Sequence, residues 1–207
     1  MLDLRVALAF CASLPGRQLG GSEGASLRAL PLAFVENRGQ WRTAAKFVAQ
    51  RGRMRILLEP TGFWWQVEGS DPAGSFAGVA LRLVFEGGSE SAALMGEGRQ
   101  PGAHNFFLGS DPKGWRTSVP SYDSVLYRGV YPGVDLRFRE EAGRLEYDLL
   151  ASRGADLSTV AVRCEGAQGL GIDPSGDLRI ETALGDLRQT PPRAWKEGEG
   201  GARVPLR

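Results

Sequence analysis

Glu146 and Asp148 stand two residues apart in the run Leu145-Glu-Tyr-Asp-Leu149. In an extended strand that spacing puts both carboxylates on one side. Asp135 lies on the preceding run, close enough in sequence to face them across a hairpin. Two carboxyl groups on one surface are the equipment of glycoside hydrolysis, at separations of about 5 or about 6.5–9.5 Å. The competing reading is a solvated sheet face on which Arg137 and Arg139 neutralise the acids. The second reading is preferred, because basic and acidic residues alternate across the two runs.

Other reactive residue types are sparse. His104 is the sole histidine, and no Gly-x-Ser-x-Gly elbow is present, so a hydrolytic triad has neither base nor nucleophile turn. Asp173, Ser175 and Asp177 have the every-second-residue spacing of a calcium loop, but the later bidentate glutamate is missing. The segment reads as a turn instead. Two cysteines and one histidine do not make a zinc site. Cys164 shares a strand face with Val160 and Val162 and reads as a small buried hydrophobe. No phosphate-binding or dinucleotide fingerprint occurs. No catalytic residue, metal or cofactor is therefore expected. The candidate ligand contacts are Trp64 and Trp65: adjacent on a strand, one enters the core and the other stays outside, where it can stack on a sugar or a partner protein.

The elements that position these residues are strands. Val79, Leu81, Leu83 and Phe85 alternate with Ala80, Arg82, Val84 and Glu86. Val134, Leu136 and Phe138 alternate with Asp135, Arg137 and Arg139, and Leu178 and Ile180 with Asp177, Arg179 and Glu181. Period two with one polar face marks half-buried antiparallel strands. Asp-Pro-x-Gly recurs at Asp71–Gly74, Asp111–Gly114 and Asp173–Gly176, with Glu59–Gly62 a near relative. That composition makes type I turns. Three hairpins follow: 54–58 with 63–67, 134–139 with 144–150, and 170–172 with 177–182. Ser152–Thr159 holds one short helical turn. The expected fold is all-β, an antiparallel β-sandwich or two abutting β-sheets of ten to thirteen strands, rich in hairpins.

Of the 207 residues, 29 are glycine, without a three-residue period, which fits turns and excludes collagen. The 25 basic and 24 acidic residues give a net charge of +1 with no basic stretch, which argues against nucleic acid. No apolar run reaches the roughly 20 residues of a transmembrane helix. Residues 1–30 read as leader and flexible linker: Val6–Leu14 has the length of a secretory apolar core, though Asp3 opposes its one basic residue, Arg5. The β module spans 31–207, with a sub-boundary near 87–102.

A series of motifs carries a family resemblance. They are Phe34-Val-Glu-Asn-Arg-Gly-Gln40, Lys46-Phe-Val48, Asn105-Phe-Phe-Leu-Gly109, Trp115, Val119-Pro120, Tyr127, Val130-Tyr-Pro-Gly-Val-Asp135, Leu145-Glu-Tyr-Asp148, Gly154-Ala-Asp156, Gly166-Ala167, Gly176-Asp-Leu178 and Gly185. In this order they resemble an uncharacterised module at the N-terminus of bacterial secreted or surface proteins that continue into SBBP-type β-propeller repeats. The resemblance implies an extracytoplasmic, β-rich module with no assigned activity and no catalytic residues to carry over. Members run on where this sequence stops, at Val204-Pro-Leu-Arg207, so the chain reads as a truncated member. The expected function is a non-catalytic structural or interaction module with a cell-surface protein or glycan as partner. A carbohydrate-binding module using Trp64 or Trp65 is the alternative, and a glycoside hydrolase built on Glu146 and Asp148 is the less favoured one.

Overall fold

A computed structural model describes residues 4–11, 32–70, 74–197 and 203–205. Strand β1 (Leu4–Cys11) comes first. An antiparallel meander follows: β2 (Phe34–Glu36), β3 (Phe47–Arg51), β4 (Met54–Glu59), β5 (Gly62–Ser70) and β6 (Phe76–Glu86). Next comes β7 (Ala93–Arg99), then a separate pair, β8 (His104–Phe106) and β9 (Arg116–Val119). A second meander is β10 (Ser121–Tyr131), β11 (Val134–Glu141) and β12 (Arg144–Ala151). β13 (Ala161–Glu165) crosses back to pair with β6. The chain closes with β14 (Gly169–Ile172), β15 (Leu178–Glu181), β16 (Leu187–Gln189), β17 (Arg193–Glu197) and β18 (Arg203–Pro205). The only helical pieces among the described residues are two single 3-10 turns, Pro112–Gly114 and Leu157–Thr159, each capped by an aspartate. The protein is all-β and antiparallel.

The hydrogen-bonded order is β13-β6-β5-β4-β3-β2-β10-β11-β12-β1-β16-β15-β14. With β7, β17 and β18 branching from it, this makes one sixteen-stranded sheet. Its layers are arms of one curled sheet, joined through the short β2. The curl is visible in contacts between strands far apart along that path. Phe63 on β5 meets Phe138 on β11 edge-on at 4.9 Å, and Phe85 on β6 meets Tyr127 on β10 at 5.6 Å. Such T-shaped pairs add about 0.5–1.5 kcal/mol beyond the area they bury. Trp65, Ile56, Leu58, Leu81 and Leu136 complete the enclosed face, each 1% exposed or less.

The three expected hairpins form, and the structure sets their registers. Met54 pairs with Val67 and Leu58 with Phe63; Arg139 pairs with Glu146; Leu170 pairs with Ile180. The β11–β12 turn has positive φ at both central residues, Ala142 (49°) and Gly143 (80°), the primed geometry that matches strand twist. Most of the Asp71–Gly74 turn lies outside the described residues. Asp111–Gly114 makes its turn as a 3-10 turn capped by Asp111, within the loop between β8 and β9.

Two further segments carry strands. Within the stretch expected as leader, residues 4–11 form a strand paired with β12 at seven positions. Leu4, Val6, Leu8 and Phe10 fall opposite Ala151, Leu149, Tyr147 and Leu145, so their alternation matches that of the core-facing residues of β12. The remainder of the expected linker, 12–30, lies outside the described residues. Within residues 87–102, β7 pairs with β10 from Tyr122–Arg99 to Arg128–Ala93.

Between β14 and β15, Asp173 Oδ1 accepts from the amides of Ser175 (2.9 Å) and Asp177 (3.1 Å), and Gly176 exits at φ +87°. A side chain there would be in the left-handed region and its Cβ would lie 3.3 Å from Pro191. Gly176→Val should therefore lose about 1–2 kcal/mol. Thermal melting of the two proteins checks this, and equal midpoints would refute the turn assignment.

Candidate functional site

The acidic pair is not on a solvated face. Glu146 is fully buried and Asp148 is 2% exposed. β12 lies between β11 and β1, so both strand edges are occupied, and Arg139 lies across both carboxylates. Its Nε donates to Asp148 Oδ2 at 2.7 Å and its Nη2 to Glu146 Oε2 at 3.0 Å. Its Nη1 pairs with Glu141. Arg193, on β17, reaches Glu146 Oε1 at 3.4 Å from the far side of β1. Burial alone lowers the Arg139 pKa, but its contacts with Asp148 and Glu141 outweigh this and hold it above its ordinary value. Both acids thus serve as acceptors for guanidinium groups, not as two carboxyls facing each other across a cleft.

Arg137 and Asp135, expected on the same face, are engaged elsewhere. Arg137 Nε donates to Glu97 Oε2 on β7 at 2.9 Å. Asp135 Oδ1 accepts from the Gly129 amide at 2.7 Å. Gly129 sits at φ +68° in the irregular stretch of β10 between Tyr127 and Tyr131, where two extra residues opposite Asp135 leave an amide outside the ladder. Asp135 satisfies that amide and is not brought to Glu146 and Asp148.

Trp65 is 1% exposed, its ring enclosed in the core. Trp64 is half-buried on the outer face. Its Nε1 donates to Glu59 Oε1 at 3.2 Å, and Arg82 lies over its ring, 5.6 Å from the centroid. The indole is therefore covered by a cation–π contact rather than presented bare. His104 is exposed, with Nε2 3.2 Å from Ser121 Oγ and its ring against Phe106. Asp173, apart from capping its turn, pairs with Arg188 at 2.5 Å. Hydrogen bonds from the Ser175 hydroxyl, with the Asp177 and Ser175 amides and Arg188, hold its carboxyl below the ordinary range. Cys164 is half-buried on the edge strand β13, and burial pushes its thiol up. No group of three or more His, Cys, Asp or Glu suited to a metal occurs among the described residues.

The feature that residue chemistry alone passed over is a finger spanning residues 104–119. Its tip exposes Phe107 (61%), Leu108 (53%) and Trp115 (37%). Phe107 and Trp115 meet edge-on at 5.2 Å. Trp115 Nε1 donates to Gly109 O at 3.1 Å, so its polar edge is satisfied within the finger and the ring is left apolar. The sequence signal was Phe106-Phe107-Leu108. In extended chain three consecutive apolar residues cannot share one face, so some must leave the core.

The finger is fixed at its base by the Glu36–Ala45 loop. Asn37 organises that loop: its Oδ1 accepts from the amides of Gly39 and Trp41, and its Nδ2 donates to Trp41 O and Ala45 O. Gln40 Nε2 donates to Glu36 O at 2.6 Å. The loop then presents Trp41, which meets Phe106 edge-on at 5.1 Å, and Arg38 O, which accepts from Arg116 Nε at 2.8 Å. The Glu-Asn-Arg-Gly-Gln motif is thus a self-bonded clamp on the finger. Beside it runs an open groove of about 300 Å³, lined by Gln40, Trp41, Arg42, Thr43, Val48, Arg55, Leu57 and Gln66.

Fold and site together define an antiparallel all-β domain that projects a clamped aromatic finger. The chain belongs to the family described as Domain of unknown function (DUF7948), whose model matches residues 34–207. No curated protein matches it, and no solved structure does. No helix among the described residues is long and apolar enough to cross a membrane.

Proposed function

We propose that this chain is a non-catalytic interaction module acting outside the cytoplasm, and that it docks a surface protein through the tip of its finger. The observation that carries this reading is the trio Phe107, Leu108 and Trp115, held exposed on a base tied to the Trp41 and Arg38 loop. Aromatic anchors of this kind dominate the energetics of protein interfaces. A protein pocket fits better than a sugar, because Phe107 and Leu108 extend the apolar surface beyond the single ring face on which a sugar would stack. The extracytoplasmic setting, the place ahead of SBBP-type repeats and the absence of catalysis rest on the motif series from Phe34 to Gly185.

The second reading is a glycan module, favoured by the groove beside Trp41. Its mixture of an indole, guanidinium groups and side-chain amides suits a sugar's alternating apolar and hydroxyl faces. One experiment separates the two. A binding screen of cell-surface proteins and glycans is run with the wild type, Phe107→Ser/Trp115→Ser and Gln66→Ala. Docking by the finger predicts protein ligands whose affinity falls at least tenfold, about 1.4 kcal/mol or more, in the double variant with an unchanged melting point. Glycan ligands lost only in Gln66→Ala would replace this reading with the second.

A further inference from the structure

The C-terminal strands are tied to the rest of the sheet through β1. β12 bonds one edge of β1 at seven positions, from Leu4–Ala151 to Phe10–Leu145. Its other edge takes β17 at four positions and β16 at two. Among the described strands, no other ladder joins β14–β18 to the body. Side chains also cross the gap: Arg193 on β17 reaches over to Glu146 on β12 at 3.4 Å. The register places Ala9 opposite Glu146, and Ala7 opposite both Asp148 and Arg193, so small residue types fall where that ion pair spans β1.

The strands bordering the gap, β12, β16 and β17, all belong to the family-matched region 34–207, whereas the strand that fills it does not. Without an occupant the gap has two facing edges of unpaired amides and carbonyls, the template that recruits another strand. Twenty residues separate Cys11 from Leu32. Fully extended they span up to about 66 Å, against a radius of gyration of roughly 16 Å for a domain of this size. The tether is long enough for β1 to enter a neighbouring molecule.

We propose that the gap between β12 and the β16/β17 edge is a strand-accepting slot that takes residues 4–11 of a second copy of this chain. The exchanged strand makes the same ladders in trans as it makes in cis, so the swap sacrifices no pairing and concentration sets the balance. A cut that removed residues 4–11 would leave the slot open. The inference does not depend on the finger.

The test uses full-length chains in a Cys11→Ala/Cys164→Ala background. One carries Leu4→Cys and the other Ala151→Cys, residues that face each other in the β1–β12 register. The chains are mixed, partly destabilised in urea, returned to buffer and oxidised with glutathione disulfide. The expected result is a disulfide-linked heterodimer that increases with concentration, several-fold above a mixture using Ala151→Cys with the out-of-register Ala9→Cys. A single chain carrying both Leu4→Cys and Ala151→Cys serves as the control for strand placement in cis. Linkage within that chain, with no heterodimer at any concentration, would overturn the proposal, as would no linkage in either format. Should the cysteine variants fail to fold, light scattering on the wild type decides: a monomer–dimer equilibrium abolished by Val6→Pro supports the slot, and a monomer at every concentration refutes it.

Discussion

Gly62→Ala should be among the most damaging single-methyl additions this protein can receive. Gly62 opens β5 and faces Val84 in the β5–β6 register. A Cβ built there lies 2.2 Å from the Leu83 carbonyl oxygen and 3.1 Å from the Val84 Cα. Both are backbone atoms of a paired strand, so no side chain can rotate away to make room. The Gly62 carbonyl also accepts from the Tyr127 hydroxyl at 3.2 Å, which ties β5 to β10 across the curled sheet. Tyr127 is fully buried, and burial, with a smaller contribution from Glu59, holds its phenol neutral well past ordinary pH. Displacing residue 62 therefore strains a ladder and loosens a buried hydroxyl together. The expected loss is about 3 kcal/mol or more, or roughly 6–12 °C in melting temperature for a chain of this length. Tyr127→Phe, which removes the hydrogen bond alone, should lose about 1 kcal/mol. Urea denaturation of the three proteins checks the order, and a Gly62→Ala midpoint matching the wild type would show that β5 and β6 do not approach this closely.

The same glycine shows what was legible in the sequence and what was not. Glu59-Pro-Thr-Gly62 announced a turn, and the apolar runs on either side marked the two strands it joins. Periodicity reports which face of a strand is apolar, so the core followed from it: Leu81, Leu83 and Phe85 are buried as their spacing required. It does not report how far a sheet curls. The clash between a residue 62 side chain and β6 depends on that close approach and is written nowhere in the local pattern. Polar positions misled for a related reason. Glu146 and Asp148 alternate with Leu145, Tyr147 and Leu149 as solvent-facing residues would, yet they are buried, because alternation places them opposite the core without saying what covers that second face. Trp64 and Trp65 divided between inside and outside as adjacency demands. That Arg82 would cover the outer one depends on β5–β6 pairing. The finger was present in the sequence as Phe106-Phe107-Leu108, but its use required knowing that β8 and β9 stand apart from the main sheet.

Arg139→Met should match or exceed the glycine variant, through electrostatics rather than sterics. Removing the guanidinium takes away the 2.7 Å and 3.0 Å bonds to Asp148 and Glu146 and leaves two buried carboxylates. Among the described residues Arg193 is the remaining cation within reach of Glu146, at 3.4 Å, and its side chain is 65% exposed. Stripping one partner from a buried ion pair typically loses about 3–5 kcal/mol, because the remaining charge is desolvated without compensation. At this chain length that corresponds to roughly 6–20 °C. Arg139→Lys should fall between the two, since an ammonium cannot present the planar fork that spans both acids. The decisive variant adds Glu146→Gln and Asp148→Asn to Arg139→Met. If the deficit arises from stranded charge, the triple variant recovers part of it despite lacking more native contacts than the single variant does. If it arises from lost packing of the arginine stem, the triple variant is no more stable than Arg139→Met. Urea midpoints of the wild type and these variants distinguish the two origins. Recovery would also explain why the acids are retained between β11 and β1: with Arg193 they bridge from β12 across β1 to β17, so the charge cluster helps to close the sheet at the position where β1 alone supplies the ladder.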